Sequence, residues 1–411
     1  MEPMNRPLRP RSLLAALVLG AVLVAPGAAP VARADEGAAA GPPELTPRVL
    51  EAVHRGLEYL KESQREDGAW DCNIGFKIND TYKVTTYGGR HPGVTALAGT
   101  AFLAGGHLPG RGPYGDALNR AVDYILSAVD DKGYITENHT RMYSHAFATL
   151  FLAEVYGSSL DRKRNEKVRD ALSKAVQFIL GAQNDQGGWR YEALAVDSDM
   201  SITVCQVMAL RAARNKGVSV PQKSIDAAVE YVLLSAVTDG GRNGFRWGDG
   251  GMRRGAFKYQ YREKNQIGTR ASLALTAAAM TTLFGAGLYD DRAIQSWAQD
   301  HGIARYAPGR DRTPTIEDMA TYILEEYDDH ARGYGNHYFW FYGHYYASQA
   351  MYIAGGRSWE KYYPLVRDHL LRRQDPDGSW EVRDVGRTFG TAVACVILQV
   401  PARYLPVLDQ R

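Results

Sequence analysis

The fold this sequence predicts is all-α: an (α/α)6 toroid, a ring of six inner helices inside a ring of six outer ones. Three observations predict it. Apolar residues recur at helical spacing over nearly the whole chain, with no clear two-residue alternation of strands. The helical segments alternate strictly between two kinds, one amphipathic and one apolar on every side. A short motif, Gln-x3-Gly-x-Trp, closes three of the amphipathic segments: Gln64, Gly68 and Trp70; Gln183, Gly187 and Trp189; Gln374, Gly378 and Trp380.

In chain order, the N-terminus comes first. Arg6, Arg9 and Arg11 precede an apolar run over 13–24, and Ala32-Arg33-Ala34 stands before Asp35. This is the pattern of a secretory signal cleaved near Ala34. The run is shorter than the roughly 20 residues a membrane span needs, so an exported protein, periplasmic or secreted, with no stable span after cleavage is expected. An Ala/Gly/Pro-rich linker over 35–44 then leads into one domain, 45–411.

Within that domain the amphipathic segments are 47–64, 115–128, 163–183, 221–236, 314–326 and 358–374, each with a charged face that belongs at a surface. The segments 94–104, 143–156, 200–213, 269–284, 339–354 and 387–400 are apolar and rich in small residues all round, so they must be buried all round. Hairpins of this kind bury their faces only against their neighbours, and a closed ring gives every hairpin two. Long irregular inserts are expected near 238–268 and 286–312.

Composition excludes more than it identifies. The 411 residues are 45% apolar and 23% charged, ordinary for a folded chain with a large core. A net charge of +2 calls for neither nucleic acid nor an anionic bilayer as partner. Cys72, Cys205 and Cys395 are too few and too scattered for a disulfide framework, and their spacing fits no structural zinc pattern. No cofactor and no metal are expected.

The repeated motif has a physical reading at a helix end. Its glycine supplies the left-handed stop that other residues resist, its tryptophan folds back over the preceding helix, and its glutamine satisfies orphaned backbone groups. The motif also resembles the QW repeats of the prenyltransferase and squalene-oxidase repeat superfamily, which includes squalene and oxidosqualene cyclases and protein prenyltransferase β subunits. The longer cyclase form places a basic and a small residue, then an aromatic-aliphatic pair, before the glutamine. Arg55-Gly56 with Tyr59-Leu60, and Lys174-Ala175 with Phe178-Ile179, fit it. Degenerate copies are read at Arg120-Ala121, Tyr124-Ile125, Val129 and Gly133, and at Tyr231-Val232 leading to Asp239-Gly240.

The resemblance implies a place for chemistry. Class II terpene cyclases carry an acidic motif at the start of the third inner helix, and Ser198-Asp199-Met200-Ser201 is similar to the oxidosqualene cyclase form. By this resemblance Asp199 is the candidate general acid, with Asp197 assisting. The residues alone support another role, because an aspartate at a helix start accepts backbone N–H bonds as an N-cap and is kept ionised by the helix dipole. The β subunits' zinc motif, Asp-x-Cys, reads here as Asp199-Met200-Ser201; the thiolate is missing, and His344 stands only approximately where a histidine ligand would fall.

Seven aromatics in the ten residues from His337 to Tyr346 open the fifth inner helix. Tyr338, Trp340, Phe341, Tyr342, His344 and Tyr345, with His145 and Ser201 from the second and third inner helices, are expected to line a central cavity. Aromatic faces there would suit a carbocation, an apolar ligand, a sugar, or packing alone. Two surface features complete the candidates. Arg242, Arg246, Arg253, Arg254, Lys258, Arg262, Lys264 and Arg270 form a basic stretch against only Asp249 and Glu263, suited to a diphosphate or other anion. Glu325, Glu326, Asp328 and Asp329 crowd the end of an outer helix beside His330, where negative charge opposes the dipole and a hard cation would relieve it. Two functions follow: a terpene cyclase-type isomerase acting on a polyprenyl or triterpenoid chain, or a non-catalytic toroid that binds a lipid, glycan or protein in its centre.

Overall fold

The computed structural model describes residues 44–78, 81–237, 253–261, 270–306 and 312–405, all within one compact unit, Gly41–Arg411. The signal and linker expectations over 1–43 lie outside them. Six helices that are buried on nearly every side form the inner ring: α2 (Pro92–Ala104), α4 (Arg141–Val155), α6 (Met200–Asn215), α8 (Leu273–Gly285), α12 (Tyr338–Ala354) and α14 (Arg387–Gln399). Each packs on the next, and α14 returns to α2, so the ring closes. Outside them stand α1 (Pro47–Glu62), α3 (Gly115–Ser127), α5 (Arg162–Gly181), α7 (Gln222–Leu234), α10 (Ile316–Glu325) and α13 (Gly356–Arg373). The protein is an all-α toroid.

Four elements depart from the sequence reading. A two-stranded antiparallel hairpin, β1 (Asp71–Ile78) and β2 (Thr81–Arg90), stands between α1 and α2. Its alternation, Cys72, Ile74 and Phe76 separated by polar residues and Gly75, is a genuine strand signal hidden by its brevity. The expected irregular insert at 286–312 contains α9 (Asp291–Asp300), and a further short helix, α11 (Tyr327–Tyr334), lies between α10 and α12.

The Gln-x3-Gly-x-Trp motif is a three-way joint. In each copy the tryptophan indole donates to a carbonyl of its own outer helix: Trp70 to Leu60, Trp189 to Ile179 and Trp380 to Leu370, at 2.7, 2.8 and 2.9 Å. The tryptophan backbone N–H donates to a threonine in the first turns of the next inner helix, Thr95, Thr203 or Thr391. The glutamine amide donates to the motif's own glycine and to the next outer helix, at Ala117, Ser224 and Ala52. Gly68, Gly187 and Gly378 have φ of 88, 84 and 87°, and a Cβ would meet backbone of that same outer helix at 2.1 to 2.5 Å. Only glycine satisfies both demands.

The degenerate copies keep the geometry with other side chains. Gly133, φ 87°, presses on the Lys174 backbone, and the N–H of Ile135 donates to His145 Nδ1 where the others use threonine. In the fourth copy Asp239-Gly240 lies outside the described residues, and the joint glycine is Gly255, φ 89°, against Asp318, with Phe257 in the tryptophan position donating to Thr276. Five of the six junctions therefore share one joint, and at the sixth, between α10 and α13, α11 fills the seam.

Candidate functional site

The N-terminal ends of all six inner helices surround a cavity of about 530 Å3, partly covered by the β1–β2 hairpin through Ile74, Phe76, Lys77 and Tyr82. The wall one to two turns into the inner helices is apolar or aromatic, with Leu97 of α2, Phe147 of α4, Leu275 of α8, Tyr345 of α12 and Val393 of α14. The upper wall carries hydroxyls and cations: Tyr143, Ser201, Tyr259 and Tyr342, with Lys77, Arg141 and Arg270. Among the described residues no aspartate or glutamate lines it.

Asp199 stands directly behind this wall, fully buried. Its backbone N–H is bonded to the Trp189 carbonyl, so the clamp before α6 fixes its position. Oδ1 accepts the Ile202 N–H at 3.0 Å and the Ser201 hydroxyl at 2.6 Å; Oδ2 accepts the Tyr259 hydroxyl at 3.1 Å and lies 3.7 Å from Arg190 Nε. It is therefore an N-cap, and also the hub of a hydroxyl network. Tyr143 donates to Ser201 Oγ at 2.7 Å, Tyr191 and Tyr259 share a 2.5 Å hydrogen bond, and Tyr342 donates to the Ser201 carbonyl at 2.9 Å. Burial pushes the Asp199 carboxyl above its ordinary range, and Ser201, Ile202, Arg190 and Tyr259 pull against that shift. Asp197 meets the same guanidinium: its carboxylate is half-exposed and bound to Arg190 at 3.2 Å and Gln260 at 3.0 Å.

Of the other candidates, Ser201, Tyr338, Tyr342 and Tyr345 line the cavity; His145, Trp340, Phe341 and His344 do not. The reason is helical phase: 338, 342 and 345 share one face of α12. Trp340 instead stacks on His369 of α13 at 4.1 Å, and His344 Nδ1 bonds the Tyr362 hydroxyl at 2.7 Å. His145 is a joint residue, with Nδ1 on Ile135 and Nε2 on the Ala175 carbonyl; burial lowers its pKa to about 4, so it is neutral. The cavity also takes in Phe339 of the same aromatic run, and His91, Phe389 and the hairpin, which the sequence reading did not single out. His91 could have been found, because it N-caps α2 as Asp199 N-caps α6.

The two charged clusters dissolve as units. Arg253 pairs with Glu325 and Glu326, and Arg254 with Asp318, while Lys258 is buried and Arg270 turns to the cavity. Arg242, Arg246, Asp249, Arg262, Glu263 and Lys264 lie outside the described residues. Asp328 and Asp329 occupy the first turn of α11, where negative charge is favourable, which removes the electrostatic reason for a cation there. Among the described residues no group of three or more His, Cys, Asp or Glu is placed to hold a metal ion. All three cysteines are free and buried.

No protein-family model matches the chain, and no curated protein matches it. Solved structures do match. The α-1,6-mannanase GH76A of Salegentibacter sp. HEL1_6 is 10% identical over 87% of this chain and 99% of its own, with a TM-score of 0.54. An inactive variant of that enzyme in complex with α-1,6-mannotriose gives 9% identity, the same coverage and a TM-score of 0.52. The type II terpene cyclase MstE from Scytonema, with geranylgeranyl dihydroxybenzoate, is 14% identical over 88% of this chain and 99% of its own, at a TM-score of 0.47, too low to argue from. At these identities the mannanase likeness establishes the toroid fold and nothing finer.

Proposed function

We propose that this is an exported toroid protein whose central cavity takes an apolar small molecule of polyprenyl or triterpenoid type. The observation that carries the reading is the cavity itself: about 530 Å3, within the usual size of small-molecule sites, its depth walled by apolar side chains and its sides by tyrosine and phenylalanine. Glycoside hydrolysis needs two carboxylates flanking the scissile bond, and among the described residues none lines this cavity. The test is direct binding of squalene and of geranylgeraniol to the purified protein, beside Leu275→Trp, which fills the deep wall. The wild type should bind at least one of them and the variant roughly tenfold more weakly, the scale of losing a well-buried hydrocarbon contact. Equal behaviour of the two proteins, or no binding at all, removes the reading.

A second reading, cyclisation begun by protonation, is favoured by one observation: Asp199 connects to the cavity through Ser201 Oγ and the Tyr143 hydroxyl. With Asp199 protonated on Oδ1, and the Ser201 and Tyr143 hydroxyls turned from donating toward it to accepting from it, its proton would pass to Ser201, that of Ser201 to Tyr143, and that of Tyr143 to an alkene carbon. Arg190 would then face the carboxylate left behind. Incubation of the wild type, Asp199→Asn and Tyr143→Phe with squalene and oxidosqualene decides it. Cyclised product from the wild type alone supports the relay, and inertness of all three ends it.

A further inference from the structure

We infer that the ligand of this cavity carries a neutral hydroxyl group, received by His330, a residue of α11 that reaches the cavity between α8 and α12. The inference rests on the apolar-cavity reading above and adds a specificity-determining residue to it. Three observations point the same way.

The first is the place where the repeat breaks. Five junctions of the ring are closed by one joint, and at the sixth α11 stands in its stead. A local departure from an otherwise consistent pattern is where function is to be sought. Although α11 is not one of the six inner helices, its His330 lines the cavity beside Ala274 of α8. Two small residues make the opening. A Cβ on Gly343 of α12 would meet Ala274 Cβ at 3.0 Å and His330 Cε1 at 3.2 Å. The imidazole therefore lies against the face that this glycine leaves bare.

The second is hydrogen-bonding capacity that the protein does not use. His330 is 1% exposed, its Nδ1 is enclosed without a partner, and among the described residues no group bonds its ring. Other core histidines are committed: His145 to Ile135 and Ala175, and His369 to the Gly335 carbonyl. Burial, with His337 and His369 nearby, lowers the pKa of His330 to about 3, so the ring is neutral and offers one donor and one acceptor. Behind it the His344 ring centre is 5.3 Å away, and His344 Nε2 is itself unbonded. A buried polar nitrogen left in this way is destabilising, and a partner can reach the ring from the cavity that it lines.

The third is the direction of the wall hydroxyls. Tyr143 donates to Ser201 Oγ, Ser201 and Tyr259 donate to Asp199, and Tyr342 donates to the Ser201 carbonyl. Their protons all point into the wall, so these oxygens turn lone pairs to the cavity. A hydrocarbon leaves both the imidazole and the lone pairs unanswered. A ketone or an ester accepts and cannot donate. A hydroxyl does both, so it suits the neutral imidazole in either tautomer.

Farnesol and β-farnesene share an isoprenoid chain and differ at the hydroxyl. Binding of each to the full chain is measured for the wild type, His330→Phe, His330→Gln and Gly343→Ala. His330→Phe keeps a ring and removes both nitrogens. Farnesol should then bind roughly tenfold more weakly, the scale of a buried hydroxyl left without its partner, while farnesene binding stays within about twofold. His330→Gln retains a donor and an acceptor and should recover part of the loss. Gly343→Ala suits a helix, but its methyl displaces the imidazole, so farnesol should again lose more than farnesene. Farnesene binding is the control for folding throughout. If His330→Phe and Gly343→Ala shift both ligands equally, His330 serves its neighbours alone, His344 among them, and the hydroxyl inference falls while the apolar cavity stands. Wild type that binds farnesene but not farnesol overturns it in the same way. If the wild type binds neither, the cavity reading itself falls.

Discussion

Asp199 shows how one side chain can be read two ways and be more than either. Its Oδ1 caps α6 through the Ile202 N–H, and the same carboxylate collects the Ser201 and Tyr259 hydroxyls that form the cavity wall. Asp199→Asn keeps a capping oxygen and should cost less than about 1 kcal/mol, whereas Asp199→Ala loses the cap and strands buried hydroxyls, about 2 to 4 kcal/mol together. Denaturant unfolding separates the two, and equal losses would mean that the carboxylate organises nothing. The pH dependence has a definite sign. Burial raises this carboxyl above its ordinary 3.8, so the native state holds the proton more tightly than the unfolded chain. Asp199 therefore subtracts stability as pH rises from 3.8 through its folded value, and Asp199→Asn should flatten that part of the stability profile.

At the scale of the element, the joint between helices was legible because its chemistry is local. A left-handed glycine, an indole that reaches back one helical end and a glutamine between them stand within seven residues, so spacing alone exposes them. What they bind was not legible, since Ala117, Ser224 and Ala52 lie on the next outer helix, and for Gln374 that helix is the first in the chain. Likewise the run from His337 to Tyr346 announced aromatics, but helical phase decided that Tyr342 faces the cavity while Trp340 and His344 face α13. The hairpin escaped notice because a strand of eight residues amid helices carries little periodic signal. A controlled pair tests the joint: Gly217 and Gly378 have nearly the same φ, 83 and 87°, but a Cβ on Gly217 meets open space and one on Gly378 meets the Arg55 carbonyl at 2.5 Å. Gly217→Ala should cost about 1 to 2 kcal/mol, the left-handed penalty alone, and Gly378→Ala clearly more in thermal or denaturant unfolding. Equal costs would show that the close approach is relieved by small shifts.

At the scale of the whole molecule, the last clamp turns a row of hairpins into a ring. An open solenoid frays at its ends, because a terminal repeat has one neighbour. Here α1 is held from the far end of the chain: Gln374 donates to the Ala52 carbonyl at 2.8 Å, and Arg55 donates to the carbonyls of Asp375 and Pro376 at 2.9 and 2.7 Å. Gly56 completes the contact, for a Cβ there would strike Cys395 and the Trp380 indole. The neighbouring seam, between α10 and α13, lacks the joint and is bridged by α11, whose Tyr327 donates to the Leu365 carbonyl. Closure should therefore be visible as protection of α1. Gln374→Ala removes the hydrogen bonds to Ala52 and Gly378, about 2 kcal/mol in all, so amide exchange in α1 should quicken roughly 30-fold if opening there is local. Gln183→Ala removes the corresponding pair at α5 and α7, which have neighbours on both sides, and should leave α1 unchanged. If both variants quicken exchange evenly around the molecule, the ring opens only as a whole, and the final clamp is one joint among equals instead of the one that closes the circle.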